Sequence, residues 1–343
     1  MKLNRTKLIL MSTILTMSMV SLSDMSLADN SRNNFKDESK ELNVTRISGK
    51  DRYETAVNIN QQLFNSDESI KLKYVVLTSG DSFADAISGG LLASEYNIPI
   101  VFTSKERLPE ITNSYLSNLF INKVYIVGGE SSISKNIEDK LGQRLIRLSG
   151  QNRYETARMV NLEIKDLNYK YINGDLAAVY NGFNFSDAIA ASPFIYKYNK
   201  GKETMLPLYP LTKDLMKGSL DGIVEIAFGG KSSVPDYQEK IRFSGRDRYQ
   251  TAVSIAKGFK TNLNIDINTI IITNGENYSD ALASTPLATK NNAAILLTKA
   301  NKLNSDTKEY IRNNHDIKNI IIVGGENSVS KDVEKELKEI RNL

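Results

Sequence analysis

RISGKDRYETA at residues 46–56 returns as RLSGQNRYETA at 147–157 and as RFSGRDRYQTA at 242–252, at offsets of 101 and then 95 residues. The chain is therefore one unit of roughly 100 residues written three times, each copy long enough to bury a small core. Outward from the first copy, a short strand ends at the Ser48-Gly49 turn. A helix opens at about Asp51, with Tyr53, Ala56, Val57 and Leu63 on its apolar face. The strand KYVVLT at 73–78 follows, then a helix from about Asp85 through Ala93, the strand IPIVFT at 98–103 and a third helix. KVYIVGG at 123–129 precedes a fourth helix. The third unit repeats the order with TIIIT at 269–273, AAILLT at 293–298 and NIIIVGG at 319–325. The second is weaker but in register, with LAAVYN at 176–181, LPLYPLT at 206–212 and VEIAFGG at 224–230. Short, nearly continuous apolar strands alternating with helices are the pattern of a parallel sheet covered on both faces. An α/β fold of three tandem units is expected, spanning residues 45–144, 145–240 and 241–343. Only about 11 residues, Ser134 to Arg144, separate the first unit from the second, which predicts rigid juxtaposition.

Ahead of the repeats, Lys2, Arg5 and Lys7 precede an apolar run from Leu8 to about Val20, and Ser26-Leu27-Ala28 follows. This predicts a secretory signal peptide over 1–28, the run being shorter than the 20 or so residues that span a bilayer. Residues 29–44, polar and rich in Asn, Ser, Lys and Glu, read as a flexible lead. With only this lead before the repeats and Leu343 after them, the expectation is an anchor module without cargo. Cysteine is absent, so stability comes from packing and no thiolate chemistry is available. The formal charge is +4, and losing Lys2, Arg5, Lys7 and Asp24 with the leader leaves about +2. A balance so near neutral argues against a nucleic-acid role.

Four features recur in every unit. The first is R-x-S-G-x-[DN]-R-Y-x-T-A, carrying Arg46 and Arg52, Arg147 and Arg153, Arg242 and Arg248. The second is an aspartate opening a helix and followed by Ala: Asp85, Asp187 and Asp280. The third is a diglycine after the last strand, Gly128-Gly129, Gly229-Gly230 and Gly324-Gly325, and the fourth a serine-rich helix start such as Ser131-Ser132-Ile133-Ser134. All lie where a strand gives way to a helix, at the carboxyl edge where open α/β sheets place ligands. Helix N-termini favour anions, glycine admits close approach and arginine offers a planar fork for carboxylate or phosphate. A structural alternative stands beside this reading. Arg52 and its counterparts would pair with Asp85 and its counterparts inside each unit, the aspartates would complement helix dipoles, and the diglycines would be tight turns.

Catalysis has little support, since the lone histidine, His315, has no counterpart in the other units. No metal-ligand pair of histidines, G-x-S-x-G elbow or Walker loop is present. The competing reading, an exported α/β enzyme acting on a phosphate-bearing or glycan substrate, predicts divergence among the units. The triplicated arginines point the other way.

At SGKDRYETA, GDSFADA and IVGGESSIS the chain resembles the cell wall binding repeat 2 family of clostridial surface and S-layer-associated proteins, over about residues 45–340. The resemblance implies Rossmann-like units packed as a pseudo-threefold trimer within one chain. It also implies a non-catalytic anchor, without cofactor, that holds exported proteins to the wall or S-layer through an anionic secondary polysaccharide. The family's Ile-Leu-Leu anchoring motif falls on Ile295-Leu296-Leu297, which are also plain core-strand positions. The other units depart from it, with Ile100-Val101-Phe102 and Tyr209-Pro210-Leu211. Proline cannot donate to a sheet ladder and belongs at an edge, so the second unit is expected to bind most weakly.

Overall fold

The computed structural model describes residues 42–64, 74–142, 145–167, 171–172, 176–217 and 223–341. The expected signal peptide, and the expected lead up to residue 41, lie outside the described residues. In the first repeat the elements are β1 (Asn43–Ile47), α1 (Arg52–Phe64), β2 (Tyr74–Ser79), α2 (Phe83–Tyr96), β3 (Ile100–Thr103), α3 (Glu110–Ser117), β4 (Lys123–Val127) and α4 (Lys135–Leu141). The second repeat follows with β5 (Leu145–Leu148), α5 (Arg153–Leu167), β6 (Tyr171–Ile172), β7 (Leu176–Asn181), α6 (Phe185–Asn199), β8 (Thr204–Met205), β9 (Leu208–Leu211), α7 (Lys213–Lys217) and β10 (Ile223–Phe228). The third contains β11 (Ile241–Phe243), α8 (Arg248–Leu263), β12 (Thr269–Asn274), a 3-10 turn at Ala281–Ala283, α9 (Ser284–Lys290), β13 (Ala294–Thr298), α10 (Ser305–Asn313), β14 (Asn319–Val323) and α11 (Lys331–Glu339).

Three parallel four-stranded sheets result, in the equivalent orders β3-β2-β4-β5, β9-β7-β10-β11 and β13-β12-β14-β1. One strand of each is borrowed. The strand that opens a repeat, expected to belong to its own unit, instead completes the sheet of the neighbouring repeat. β5 pairs with β4, Val124 opposite Leu145, and β11 pairs with β10, Phe228 opposite Phe243. β1 pairs with β14 at the far end of the chain, Asn43 opposite Asn319 and Ile47 opposite Val323. Three head-to-tail junctions of one kind therefore close a ring, the pseudo-threefold form of a heterologous cyclic trimer. The expected lead is also shorter than its sequence suggested. Asn43 and Val44 are strand residues and Leu42 is buried, because the strand must be long enough to meet β14.

Each opening arginine bolts its borrowed strand in place. Arg46 donates to the Gly324 carbonyl at 2.7 Å and, through Nε and Nη2, to one oxygen of the Glu334 carboxylate, Oε2, at 3.1 and 2.9 Å. Arg147 reaches the carbonyls of Gly128 and Ile133 and the Glu138 carboxylate. Arg242 reaches the carbonyls of Gly229, Val234 and Pro235 and the carboxylate of Glu239. In the ring's interior α2, α6 and α9 pack on one another, and the helix opening each repeat packs on the central helix of the repeat before it. Small residues permit this. A Cβ on Gly90 would stand 3.3 Å from the Thr285 side chain of the third repeat. Pro210 lies on β9, an edge strand, where a missing donor is tolerated. Among the described residues no helix is long and apolar enough to cross a membrane.

Candidate functional site

Every strand is parallel, so the carboxyl ends of all three sheets carry the recurring loops. The fixed Asp or Asn of the motif is explained locally as a helix cap. Asp51 Oδ1 accepts from the backbone N–H of Tyr53 and Glu54, Asp247 Oδ1 from those of Tyr249 and Gln250, and Asn152 Oδ1 from that of Glu155. Such a cap is worth about 1 kcal/mol. In the first repeat the motif threonine ties its own turn to a neighbouring repeat. Thr55 Oγ1 accepts from the Gly49 N–H and donates to Asp280 of the third repeat at 3.0 Å.

The second arginines lie across the junctions. Arg52, Arg153 and Arg248 each donate to the carbonyl of the glycine that follows the central strand of their own repeat, Gly80, Gly182 and Gly275. Only glycine fits at 182, because a Cβ there would meet the Leu211 carbonyl oxygen at 2.5 Å and the Arg153 side chain at 3.0 Å. Each guanidinium then reaches an aromatic ring of another repeat: Arg52 at Tyr278, Arg153 at Phe83 and Arg248 at Phe185, with 5.6 to 5.9 Å to the ring centroids. Those three rings meet each other at 5.6, 5.7 and 6.3 Å. The pseudo-threefold axis is thus marked by an aromatic triangle, one ring per repeat, with three guanidiniums around it. Charge on arginine over an aromatic face contributes about 0.5 to 2 kcal/mol per contact.

The aspartates occupy a second layer. Asp85 is buried, accepts from Ser132 Oγ at 2.9 Å and lies against Gly128. Asp187 and Asp280 stand in the same relation to Gly229 and Gly324. The first glycine of each diglycine has φ of +127°, +121° and +121°, a conformation glycine adopts without strain, and a Cβ there would press on the carboxylate at 2.9 to 3.1 Å. The pairing of each arginine with the aspartate of its own unit, the structural alternative read from sequence, does not form. Arg52 has Asp81 at 3.4 Å, whereas Asp85 feels the charge of Arg153 and Asp187 that of Arg248, each from the following repeat. The borrowed strand causes this by displacing each motif one repeat around the ring.

Burial raises the Asp85 carboxyl, opposed by hydrogen bonds from Ser82 and Ser132 and by Arg153, and it pushes Asp187 up to about 6 against the pull of Arg248. An unfolded aspartate titrates near 4. A raised folded value means that the stabilising contribution is complete below about pH 4 and is lost as pH rises through about 6. Asp187→Asn is accordingly expected to gain on the order of 2 to 3 kcal/mol at pH 7 and nothing at pH 4. Melting curves of both proteins across that window check it, and a parallel pH dependence in the two would refute it.

Ile295, Leu296 and Leu297 are core residues of β13, at most 1% exposed, with no side-chain surface to offer a ligand in this arrangement. His315 is exposed in the turn between α10 and β14. The triangle of Phe83, Phe185 and Tyr278 escaped the sequence reading. The signal was present in GDSFADA, GFNFSDA and GENYSDA, where an aromatic recurs two residues before the aspartate.

The three repeats thus form one ring with equivalent arginines and aromatic rings gathered at its axis. Residues 46–138, 147–239 and 242–334 each match the cell wall binding domain 2 (CWB2) family, and the chain belongs to it. The N-acetylmuramoyl-L-alanine amidase LytC of Bacillus subtilis (strain 168) is 28% identical over 310 residues, 86% of this chain and 58% of that protein. The amidase enhancer of the same strain is 28% identical over 306 residues, 85% of this chain and 40% of that protein. The chain therefore spans little more than half of one curated relative and less than half of the other. Among solved structures, Cwp8 and Cwp6 from Clostridium difficile share the fold, with TM-scores of 0.71 and 0.72 at 23% identity. Each alignment covers 88% of this chain, with 52% of Cwp8 and 48% of Cwp6.

Proposed function

We propose that the repeats hold an exported protein to the wall, in the setting of the S-layer, by non-covalent and non-catalytic binding of an anionic secondary polysaccharide. The observation that carries this reading is the convergence of Arg52, Arg153 and Arg248 on one axial face, beside aromatic rings, at the carboxyl edge of the sheets. A face made of guanidiniums and rings suits a polymer that alternates anionic groups with sugar faces. Family membership supports the cell wall as the place of binding. The arrangement keeps one guanidinium and one ring per repeat, as graded recognition of a repeating polymer requires and a single reaction centre does not. Co-sedimentation with purified walls, before and after mild acid removes the anionic polymer, tests the proposal. Retention is expected before extraction and loss after it, and equal retention on stripped walls would transfer the binding to peptidoglycan. Raised salt is expected to weaken retention, because exposed ionic contacts are screened over roughly 8 to 10 Å at physiological strength.

A further inference from the structure

The three corners of the axial face are built alike and decorated differently. The residue after the loop glycine is Asp81 in the first repeat, Phe183 in the second and Glu276 in the third. At the first corner the guanidinium is occupied, since Arg52 has Asp81 at 3.4 Å and donates to Ser279 Oγ at 3.0 Å. At the third, Glu276 is exposed on the loop that Arg248 holds and accepts from the Tyr249 hydroxyl at 3.5 Å. A carboxylate at either tip repels an approaching anion.

The second corner has the opposite character. Phe183 is 47% exposed, one of the few large apolar side chains on the surface. The Arg153 guanidinium lies 4.7 Å from its centroid and 5.6 Å from that of Phe83, so two rings flank it. The Lys213 ammonium stands 5.8 Å from the Phe183 ring. Arg153 donates to the Gly182 carbonyl and makes no other hydrogen bond among the described residues, which leaves donors of its fork for a ligand. Asp85 is the carboxyl behind it, buried and held by Ser132 rather than presented to solvent.

We propose that Arg153, Phe183 and Lys213 form the subsite for the charged sugar of an anionic glycan. One pyranose face stacks on Phe183, and the sugar's anionic substituent sits on the outward edge of Arg153 beside Lys213. Stacking uses the C–H face of the sugar against the electron-rich ring, and the arginine adds a charge-assisted, geometrically selective contact. This rests on the wall-binding reading above and reverses the expectation that the second repeat binds most weakly. Pro210 sits at a sheet edge without penalty, and the decisive residues are on the loops instead.

The test uses the full chain and the variants Phe183→Asp, which gives the second corner the chemistry of the first, and Arg153→Lys. Phe120→Asp is the control, Phe120 being 88% exposed in the loop between α3 and β4. Affinity for purified walls should fall about tenfold or more in Phe183→Asp with melting unchanged, and in Arg153→Lys at a temperature where both it and the parent are fully folded, the loss of one such contact being about 1.4 kcal/mol or more. Phe120→Asp should bind like the parent. Titrating the parent with glucose 6-phosphate, glucuronate and glucose then separates the sources of charge. Saturation by either anion, and not by glucose, supports the subsite and names its substituent. A parent that fails to bind walls defeats the wall-binding reading itself. A parent that binds walls while Phe183→Asp binds them equally well overturns this corner alone, as does equal loss in Phe120→Asp.

Discussion

A chain that begins at Ser48, and so lacks β1, is expected to lose on the order of 5 kcal/mol or more of stability and to melt well below the full protein. Leu42 and Ile47 are buried at 5% and 7% exposure, and burying such side chains is worth about 1.5 to 3 kcal/mol each. Arg46 is lost with them, leaving the Gly324 carbonyl and the Glu334 carboxylate without the donors that the fork supplied. Unmade hydrogen bonds at partly buried acceptors add about 1 to 3 kcal/mol. The third sheet is reduced to β13-β12-β14, with β14 as a bare edge ready to pair with another chain. Thermal melting and light scattering check both consequences. An unchanged melting temperature, with no association, would mean that the ring does not depend on its closing strand. The effect should reach the axial face as well, because the contacts of Arg52 with Tyr278 and Ser279 cross the same junction.

Joint replacement of Ile295, Leu296 and Leu297 by alanine is expected to abolish folding of the third repeat and, through the ring, of the whole body. All three are essentially inaccessible, and each large-to-small change in such a core costs about 2 to 5 kcal/mol. Together they rival the entire stability of an ordinary domain, about 5 to 15 kcal/mol. Lost wall retention in that variant is then a consequence of unfolding, which circular dichroism should show directly. Leu297→Met, nearly volume-conserving, should cost less than about 1.5 kcal/mol and keep retention. If the triple alanine variant melts like the parent yet no longer binds, the burial of this strand cannot be its role.

Much of this molecule was legible in the chain alone. The threefold motif fixed the number of repeats, and the apolar runs read at 73–78, 123–127, 269–273 and 319–323 fell on β2, β4, β12 and β14 within a residue of their ends. That success has a simple cause: a strand covered on both faces must be apolar along its length, so its composition reveals it without reference to partners. The helix cap at Asp51 was equally local. The roles of the arginines were not. Arg46 and Arg52 are six residues apart and look interchangeable in sequence, yet one bolts a strand to Glu334 at the other end of the chain and the other reaches Tyr278 across the axis. Nothing near either residue distinguishes them, because the distinction lies in which repeat they face. Tertiary structure alone decided that each opening strand is lent to the neighbouring sheet, since pairing one's own edge or a neighbour's satisfies the same backbone groups and the same apolar pattern. That exchange moves every motif to a junction between repeats, puts contacts between repeats in place of the Arg52–Asp85 pairing that stood as one alternative, and gathers Phe83, Phe185 and Tyr278, scattered over nearly 200 residues of sequence, into one face.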